Sequence, residues 1–268
     1  MKLILLTIAG IYIAFVAALY LFQRSVLFHP NPIRPEPADF GVGEMQAVTL
    51  ETEDGLKLLA WWSPPGDDTL PVLLFFHGNA GHIGHRSEKI RPYLDRRWGV
   101  LLVAWRGYSG NPGAPTETGL YADGRAALAF LDERGIPPLR QVAYGESLGT
   151  AIAVEMARKT MFGAVVLEAP FTSVADLAQG RYPYIPVRPL VRDKFASIDK
   201  IFEIFSPLLV IHGESDKVIP VGHGRRIYGA ANDPKLVHIV PGGGHNDLHG
   251  FGISDKVTDF VRNYVPGE

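Results

Sequence analysis

The sequence predicts an α/β protein built on a mostly parallel sheet with helices on both faces. From Ala47 onward, short apolar runs alternate with amphipathic stretches of helical length, which is typical of such a sheet. The length of 268 residues suits a single hydrophobic core, which can serve about 250 residues. A content of 47% hydrophobic and 20% charged residues excludes a disordered chain.

Eight apolar runs bounded by turn residues predict the strands of this sheet. Several are apolar on both faces, as buried strands are. The predicted strands are 47–52, 56–63, 71–77, 99–105, 139–144, 163–169, 206–212 and 235–240. Helices are predicted at 81–96, 116–134, 147–160, 220–230 and 252–265. Thr116 is placed to cap the second of these helices.

The amino terminus predicts a transmembrane anchor over residues 1–24. Residues 3–22 contain no charged side chain, and 20 residues form a helix of about 30 Å, the thickness of a bilayer's hydrocarbon core. The alternative is a cleaved signal peptide, whose apolar region is usually shorter and ends at small residues. We therefore expect the lipid bilayer to be a partner of residues 3–22. The charges flanking this stretch leave the membrane face open.

Two further segments differ from the alternating pattern. Residues 25–46 contain Pro30, Pro32, Pro35 and Pro37, and the segment is predicted to be a linker because proline disfavours helix. Residues 47–268 form the predicted folded domain. Within it, residues 171–200 are rich in aromatic residues, arginine and proline without a clear strand or helix period, which predicts an inserted cap.

Composition excludes several classes of protein. With Cys 0, the chain has no disulfide, no thiolate nucleophile and no cysteine-ligated metal. The net charge of −2 predicts no nucleic-acid partner, since such partners require a basic surface.

The strongest local motif is Gly-Glu-Ser-Leu-Gly at residues 145–149. An apolar strand leads into it and a helix rich in small residues follows, which is the context of a nucleophile elbow. The sharp turn would strain the backbone at Ser147, and Gly145 and Gly149 would keep side chains out of the contact between strand and helix. The pattern predicts Ser147 as a nucleophile.

A serine nucleophile needs a base, and the base needs an orienting acid. Asp216 follows the predicted strand 206–212, and His245 follows the strand 235–240 in a glycine-rich loop. Active sites of open α/β sheets gather at the carboxyl ends of strands. We therefore predict Asp216 as the acid and His245 as the base, with Glu214 the near alternative to Asp216.

A tetrahedral intermediate also needs donors for its oxyanion. The loop His-Gly-Asn-Ala-Gly at residues 77–81 follows a predicted strand, and its small residues let backbone N–H groups point at the oxygen. We predict the N–H groups of Asn79 and Leu148 as the oxyanion hole.

These motifs resemble a known family. The segments HGNAGHIGHR (77–86), YGESLGTAIA (144–153), IHGESDKVIP (211–220) and GGGHND (242–247), behind an N-terminal anchor, are similar to membrane-anchored serine hydrolases of the α/β-hydrolase superfamily. Relatives in that group include protein depalmitoylases and lysophospholipid lipases. The resemblance implies the α/β-hydrolase fold with a short cap, the nucleophile at Ser147, the acid at Asp216 and the base at His245.

The expected activity is hydrolysis of carboxylic esters or thioesters, with a fatty acyl chain favoured, through an acyl-enzyme and without a cofactor or a metal. The alternatives are a peptidase-like or short-chain esterase activity, or a catalytically silent binding module. The oligomeric state is left open.

Several residues near the motifs carry secondary expectations. His77 is expected to order its loop, and His82 and His85 to be exposed helix residues rather than metal ligands. Glu146 is expected to pack or form an ion pair beside the elbow, with Arg106 as one candidate partner. The aromatic residues considered for either an acyl pocket or the core are Trp105, Tyr182, Tyr184 and Phe195.

Overall fold

An eight-stranded sheet forms the centre of the fold in this computed structural model, which describes residues 1–265. The last three residues of the predicted domain, 266–268, lie outside the described residues. The strands are β1 (His29–Pro30), β2 (Gln46–Glu51), β3 (Lys57–Ser63), β4 (Val72–Phe76), β5 (Ala80–Gly81), β6 (Gly99–Val103), β7 (Gln141–Glu146), β8 (Ala164–Glu168), β9 (Leu208–Gly213) and β10 (Lys235–Val240).

The large sheet has the order β2-β3-β6-β4-β7-β8-β9-β10, and β1 pairs separately with β5. Strand β3 is antiparallel to both of its neighbours, and the remaining pairs are parallel. Every residue of β4, β6, β7 and β8 is buried, because helices cover both faces. The predicted mostly parallel eight-stranded sheet is confirmed, and each strand lies within two residues of its predicted bounds.

Eight helices accompany the sheet in residues 1–265. They are α1 (Lys2–Leu27), α2 (Ser87–Asp95), α3 (Glu117–Asp132), α4 (Leu148–Ala157), α5 (Val174–Arg181), α6 (Val187–Leu190), α7 (Gly222–Ala230) and α8 (Ile253–Arg262). Residues of α3, α4 and α7 share one core with one face of the sheet, and those of α2 and α8 share a second core with the other face. The prediction of helices on both faces is therefore confirmed.

One predicted helix begins later than expected. Residues 81–96 contain the last residue of β5, a 3₁₀ turn at Ile83–Arg86 and then α2 from Ser87. Gly81 takes a positive φ of 83°, which interrupts a right-handed helix, and its strand pairs with β1. Thr116, by contrast, caps α3 as predicted, with its Oγ1 accepting a hydrogen bond from the N–H of Gly119 at 3.0 Å.

The segment 171–200, for which the sequence showed no clear strand or helix period and predicted a cap, is partly helical. It contains α5 and α6. The Ser173 side chain caps α5 by accepting a hydrogen bond from the N–H of Asp176 at 2.9 Å. A helix of eight residues has only two turns, so its sequence is too short to display a hydrophobic period.

Helix α1 is long and apolar enough to cross a membrane, and none of its residues is buried. It nevertheless contacts the cap from Tyr12 onward. The Tyr12 hydroxyl donates to the carbonyl of Tyr184 at 2.8 Å, and the Arg24 guanidinium pairs with Asp193 at 2.7 Å. The segment after α1 also contacts the domain, because Phe28 is buried in the core.

A buried ion pair fixes the end of β6 against α3. The Arg106 guanidinium lies 2.7 Å from both Asp123 and Asp54. The Asp123 side chain is fully buried, whereas that of Asp54 is 48% exposed. Since Arg106 is occupied by these two carboxylates, the pairing with Glu146 that the sequence suggested is wrong.

We expect Asp123→Ala to lower the free energy of unfolding by about 3 kcal/mol, because it leaves the Arg106 charge buried without its buried partner. Asp54→Ala is the matched control and should cost less than about 1 kcal/mol, since solvent screens an exposed pair. Urea unfolding of the two variants measures the difference. Equal losses would contradict the assignment of Asp123 as the structural partner.

Candidate active site

Ser147 stands at a sharp turn between β7 and α4. Its backbone has φ 51° and ψ −114°, a conformation that residues other than glycine rarely adopt. A Cβ placed on Gly149 would lie 1.9 Å from the carbonyl oxygen of Phe76, and one on Gly145 would lie 2.5 Å from that of Gly149. The two glycines therefore allow the close contact that raises Ser147 above the sheet edge.

His245 lies between Ser147 and Asp216. Its Nε2 is 3.1 Å from the Ser147 Oγ, and its Nδ1 is 2.7 Å from the Asp216 Oδ2. Because an ionised carboxylate only accepts hydrogen bonds, Nδ1 donates to Asp216 and Nε2 is left to accept the serine proton. The three residues that the sequence selected thus form one hydrogen-bonded chain, while Glu214 is exposed.

Asp216 is held as a carboxylate. The N–H groups of Val218 and Ile219 donate to its Oδ1 at 2.8 Å each, and Nε2 of His212 lies 3.4 Å from its Oδ2. Burial alone would raise the pKa of Asp216, but the interactions with His212, His245 and the Ile219 N–H outweigh it and hold the pKa well below its usual range. Asp216 is therefore ionised, and its carboxylate can accept the hydrogen bond that His245 Nδ1 donates.

The loop 77–81 lies beside Ser147. A Cβ placed on Gly78 would be 3.4 Å from the Ser147 Cβ, and the Gly78 N–H donates to the Glu146 Oε2 at 3.2 Å. The next N–H in the chain belongs to Asn79. Leu148 is the first residue of α4, where the helix itself does not use the N–H. Asn79 and Leu148 are thus the chain neighbours of Gly78 and Ser147, and their assignment as the oxyanion hole stays a prediction.

The end of α1, the start of β1 and Tyr108 hold Asn79 in place. The Asn79 side chain donates to the carbonyl of Leu27 at 2.7 Å. Its own carbonyl accepts from the His29 N–H at 2.9 Å and from the Tyr108 hydroxyl at 2.8 Å. Nothing in the local sequence of the loop predicts these contacts, because the Leu27 carbonyl lies 52 residues away.

A buried ion cluster lies behind the elbow. Glu146 pairs with Arg86 at 2.9 Å and with Lys89 at 2.7 Å, and Lys89 also lies 2.7 Å from Glu168. Burial alone would raise the pKa of Glu146, but the positive charges of Arg86 and Lys89 lower it far below its ordinary value. Through the Gly78 N–H, the same carboxylate connects the elbow to the loop 77–81.

The histidines near this loop differ in environment. His77 is fully buried, and burial lowers its pKa to about 3, so the ring is neutral and its Nδ1 bonds the Gly78 carbonyl at 2.7 Å. His85 is exposed as predicted, but the expectation of an exposed His82 is wrong: its ring is buried, with its centroid 5.3 Å from that of Phe40. In residues 1–265, no group of three histidine, cysteine or acidic side chains is arranged to hold a metal.

The four aromatic residues considered for an acyl pocket separate into two pairs. Trp105 and Phe195 are fully buried and belong to the core. Tyr182 lines a cavity between α1 and the cap, and Tyr184 is 89% exposed.

The chain matches known proteins of one family. Residues 73–199 match the model described as the alpha/beta hydrolase family. An uncharacterised protein of Mycobacterium tuberculosis is 38% identical over 244 residues, covering 89% of this chain and 87% of that protein. The human alpha/beta hydrolase domain-containing protein 17B is 37% identical over 220 residues, covering 81% and 75% of the two chains. The chain belongs to the alpha/beta hydrolase family, and it is a hydrolase by that membership.

Solved structures support the same fold. The esterase Pf2001 of Pyrococcus furiosus has a TM-score of 0.72 at 17% identity, covering 89% of this chain and 98% of that one. An esterase of Exiguobacterium antarcticum has a TM-score of 0.62 at 14% identity, covering 81% and 100%. At these identities the likeness concerns the fold, and it confirms the predicted α/β-hydrolase architecture.

We expect Glu146→Gln to cost about 3 kcal/mol of stability near pH 7, since it removes one charge from a buried cluster. The pKa of Glu146 in the folded chain is lower than its ordinary value of 4.5. Its contribution is therefore present above about pH 4.5 and is lost as the pH falls towards the folded-state pKa. The difference between the melting temperatures of wild type and variant should therefore shrink as the pH falls below about 4.5.

Thermal melts between pH 7 and pH 3 measure this convergence. Glu88→Gln on the exposed surface of α2 is the control, and its melting temperature should follow that of the wild type throughout. A difference between wild type and Glu146→Gln that stays constant with pH would contradict the role of the Glu146 charge.

Proposed function

We propose that the protein is a membrane-tethered serine hydrolase that cleaves fatty-acyl esters or thioesters. The observation that carries the proposal is the hydrogen-bonded chain from Ser147 Oγ through His245 to Asp216. A hydroxyl alone is a weak nucleophile, and it becomes reactive when a neutral imidazole accepts its proton.

In the first step, His245 Nε2 takes the proton of Ser147 as the serine oxygen bonds to the acyl carbonyl carbon. The carbonyl oxygen becomes an oxyanion, and the N–H groups of Asn79 and Leu148 donate to it. His245 then returns the proton to the leaving alcohol or thiol as the bond between carbonyl carbon and leaving group breaks. The product is an acyl ester on Ser147.

In the second step, a water molecule gives a proton to His245 and its oxygen bonds to the acyl carbon. The same N–H groups stabilise the second oxyanion, and the proton passes to Ser147 as the acyl bond breaks. A carboxylic acid leaves and the free serine is restored. Asp216 keeps the imidazole oriented and stabilises its positive charge in both steps. The scheme uses no cofactor.

Helix α1 supports the membrane tether and the acyl substrate class. Its apolar stretch is not buried in the protein, so its surface is available to lipid. A domain held at a bilayer meets acyl lipids at a high local concentration. The contacts of Arg24 with Asp193 and of Leu27 with Asn79 favour a helix that is retained over a cleaved signal peptide.

We expect Ser147→Ala to lower kcat/KM for acyl esters by about 10⁴-fold or more, because the nucleophile is removed. The variant should also lose labelling by a fluorophosphonate probe, in which serine displaces fluoride from phosphorus. Ser215→Ala, on the neighbouring loop, is the control and should keep both activities. Equal turnover by wild type and Ser147→Ala would contradict the proposed mechanism.

We expect the full chain to stay in the membrane pellet after alkaline carbonate extraction, because an apolar helix of this length is stable in lipid. A chain that lacks residues 1–22 should be released. The mass of the extracted wild type should be that of the whole 29.4 kDa chain. Release of the wild type, or a mass that lacks the helix, would contradict the anchor.

A further inference from the structure

A cavity of about 800 Å³ lies between α1 and the cap. This volume is within the range of roughly 300–1,000 Å³ that is typical of small-molecule sites. Its walls are mainly apolar, with Val16 and Leu19 on the α1 side and Leu177, Ile185 and Leu190 on the cap side. An apolar cavity of this size suits an apolar ligand.

Helix α1 presents only one of its faces to this cavity. The half-buried positions of its second half are Val16, Leu19, Gln23 and Leu27, which are three or four residues apart and therefore share one face. All four line the cavity. Leu21 lies on another face and is 66% exposed. The helix thus has a lipid face and a cavity face.

Some lining residues of the cavity are neighbours of the catalytic groups. Lys217 and Val218 line it and directly follow Asp216, and the Val218 N–H donates to the Asp216 carboxylate at 2.8 Å. On the other side, Leu27 lines the cavity and its carbonyl accepts from the Asn79 side chain at 2.7 Å. One lining residue thus bonds Asp216, and another bonds the loop 77–81.

Two lining residues of the cavity, Val16 and Leu19, belong to the apolar stretch 3–22 of α1. The Tyr12 hydroxyl bonds the carbonyl of Tyr184 at the tip of the cap. Tyr12 is ten residues before the end of the predicted span 3–22, a distance of about 15 Å along a helix. When α1 spans a bilayer, the tip of the cap is level with the acyl chains.

Resting on the proposed function, we propose that this cavity is the acyl-chain site of the enzyme and that α1 forms one of its walls. One fatty acyl chain enters directly from the bilayer between α1 and the cap. Its carbonyl carbon reaches Ser147 while its tail lies against Leu19 and Leu177. The membrane helix is then part of the substrate site in addition to being a tether.

The test compares hydrolysis of p-nitrophenyl palmitate and p-nitrophenyl butanoate in the same detergent micelles. Leu19→Trp fills the cavity from the α1 side, and Leu177→Trp fills it from the cap side. Each should lower the palmitate-to-butanoate ratio of kcat/KM about tenfold or more, as misfit in an apolar pocket does. Leu21→Trp, the same change on the lipid face of the same helix, should leave the ratio at the wild-type value.

The outcomes separate the cavity from the catalytic mechanism. Unchanged ratios in both cavity variants, or an equal fall in Leu21→Trp, would overturn the acyl site while hydrolysis by Ser147 stands. Hydrolysis of butanoate alone by the wild type would do the same. A wild type that cleaves neither ester and takes no fluorophosphonate label overturns the proposed function and the acyl site together. Fluorophosphonate labelling of each variant shows that its serine is intact, and Leu177→Trp decides the matter if Leu19→Trp does not fold.

Discussion

The close contact between α4 and the end of β4 is the constraint on which the site depends. Gly149 touches the Phe76 carbonyl so closely that a side chain is excluded there. This contact forces the turn before α4 into the positive φ of Ser147, and the packed sheet and helix hold that strain. Strands β4, β9 and β10 end at the same edge of the sheet. The loops that follow them are the loop 77–81 and the loops of Asp216 and His245, which therefore lie at the same edge as the Ser147 hydroxyl.

Buried charge is the second organising feature, and each buried carboxylate at the site has a fixed partner. Glu146 and Glu168 are held by Arg86 and Lys89, and Asp216 by backbone N–H groups and His245. Partners of this kind offset the cost of removing a charge from water. The Glu146 cluster also bonds the loop 77–81, so the turn that carries Ser147 and this loop share one support.

The amino-terminal helix connects with this arrangement at two places. Near its end, the Leu27 carbonyl accepts a hydrogen bond from the Asn79 side chain, and β1 pairs with β5, the last two residues of the loop 77–81. Further back, Tyr12, Gln23 and Arg24 bond residues of the cap. A helix that touches both the cap and the oxyanion loop places the site directly beside the surface that we propose to lie in lipid.

The sequence by itself determined the strands, the elbow and the chain order of Ser147, Asp216 and His245. These features depend on local patterns, because each residue lies in the turn or loop after a parallel strand, and these strands end at the same edge of the sheet. Only the tertiary structure decided the partners of Glu146, the burial of His82 and the contact of α1 with the cap. Lys89 lies 57 residues from Glu146, and Asp193 lies 169 residues from Arg24. Such pairs leave no local pattern, since packing between distant segments alone brings them together.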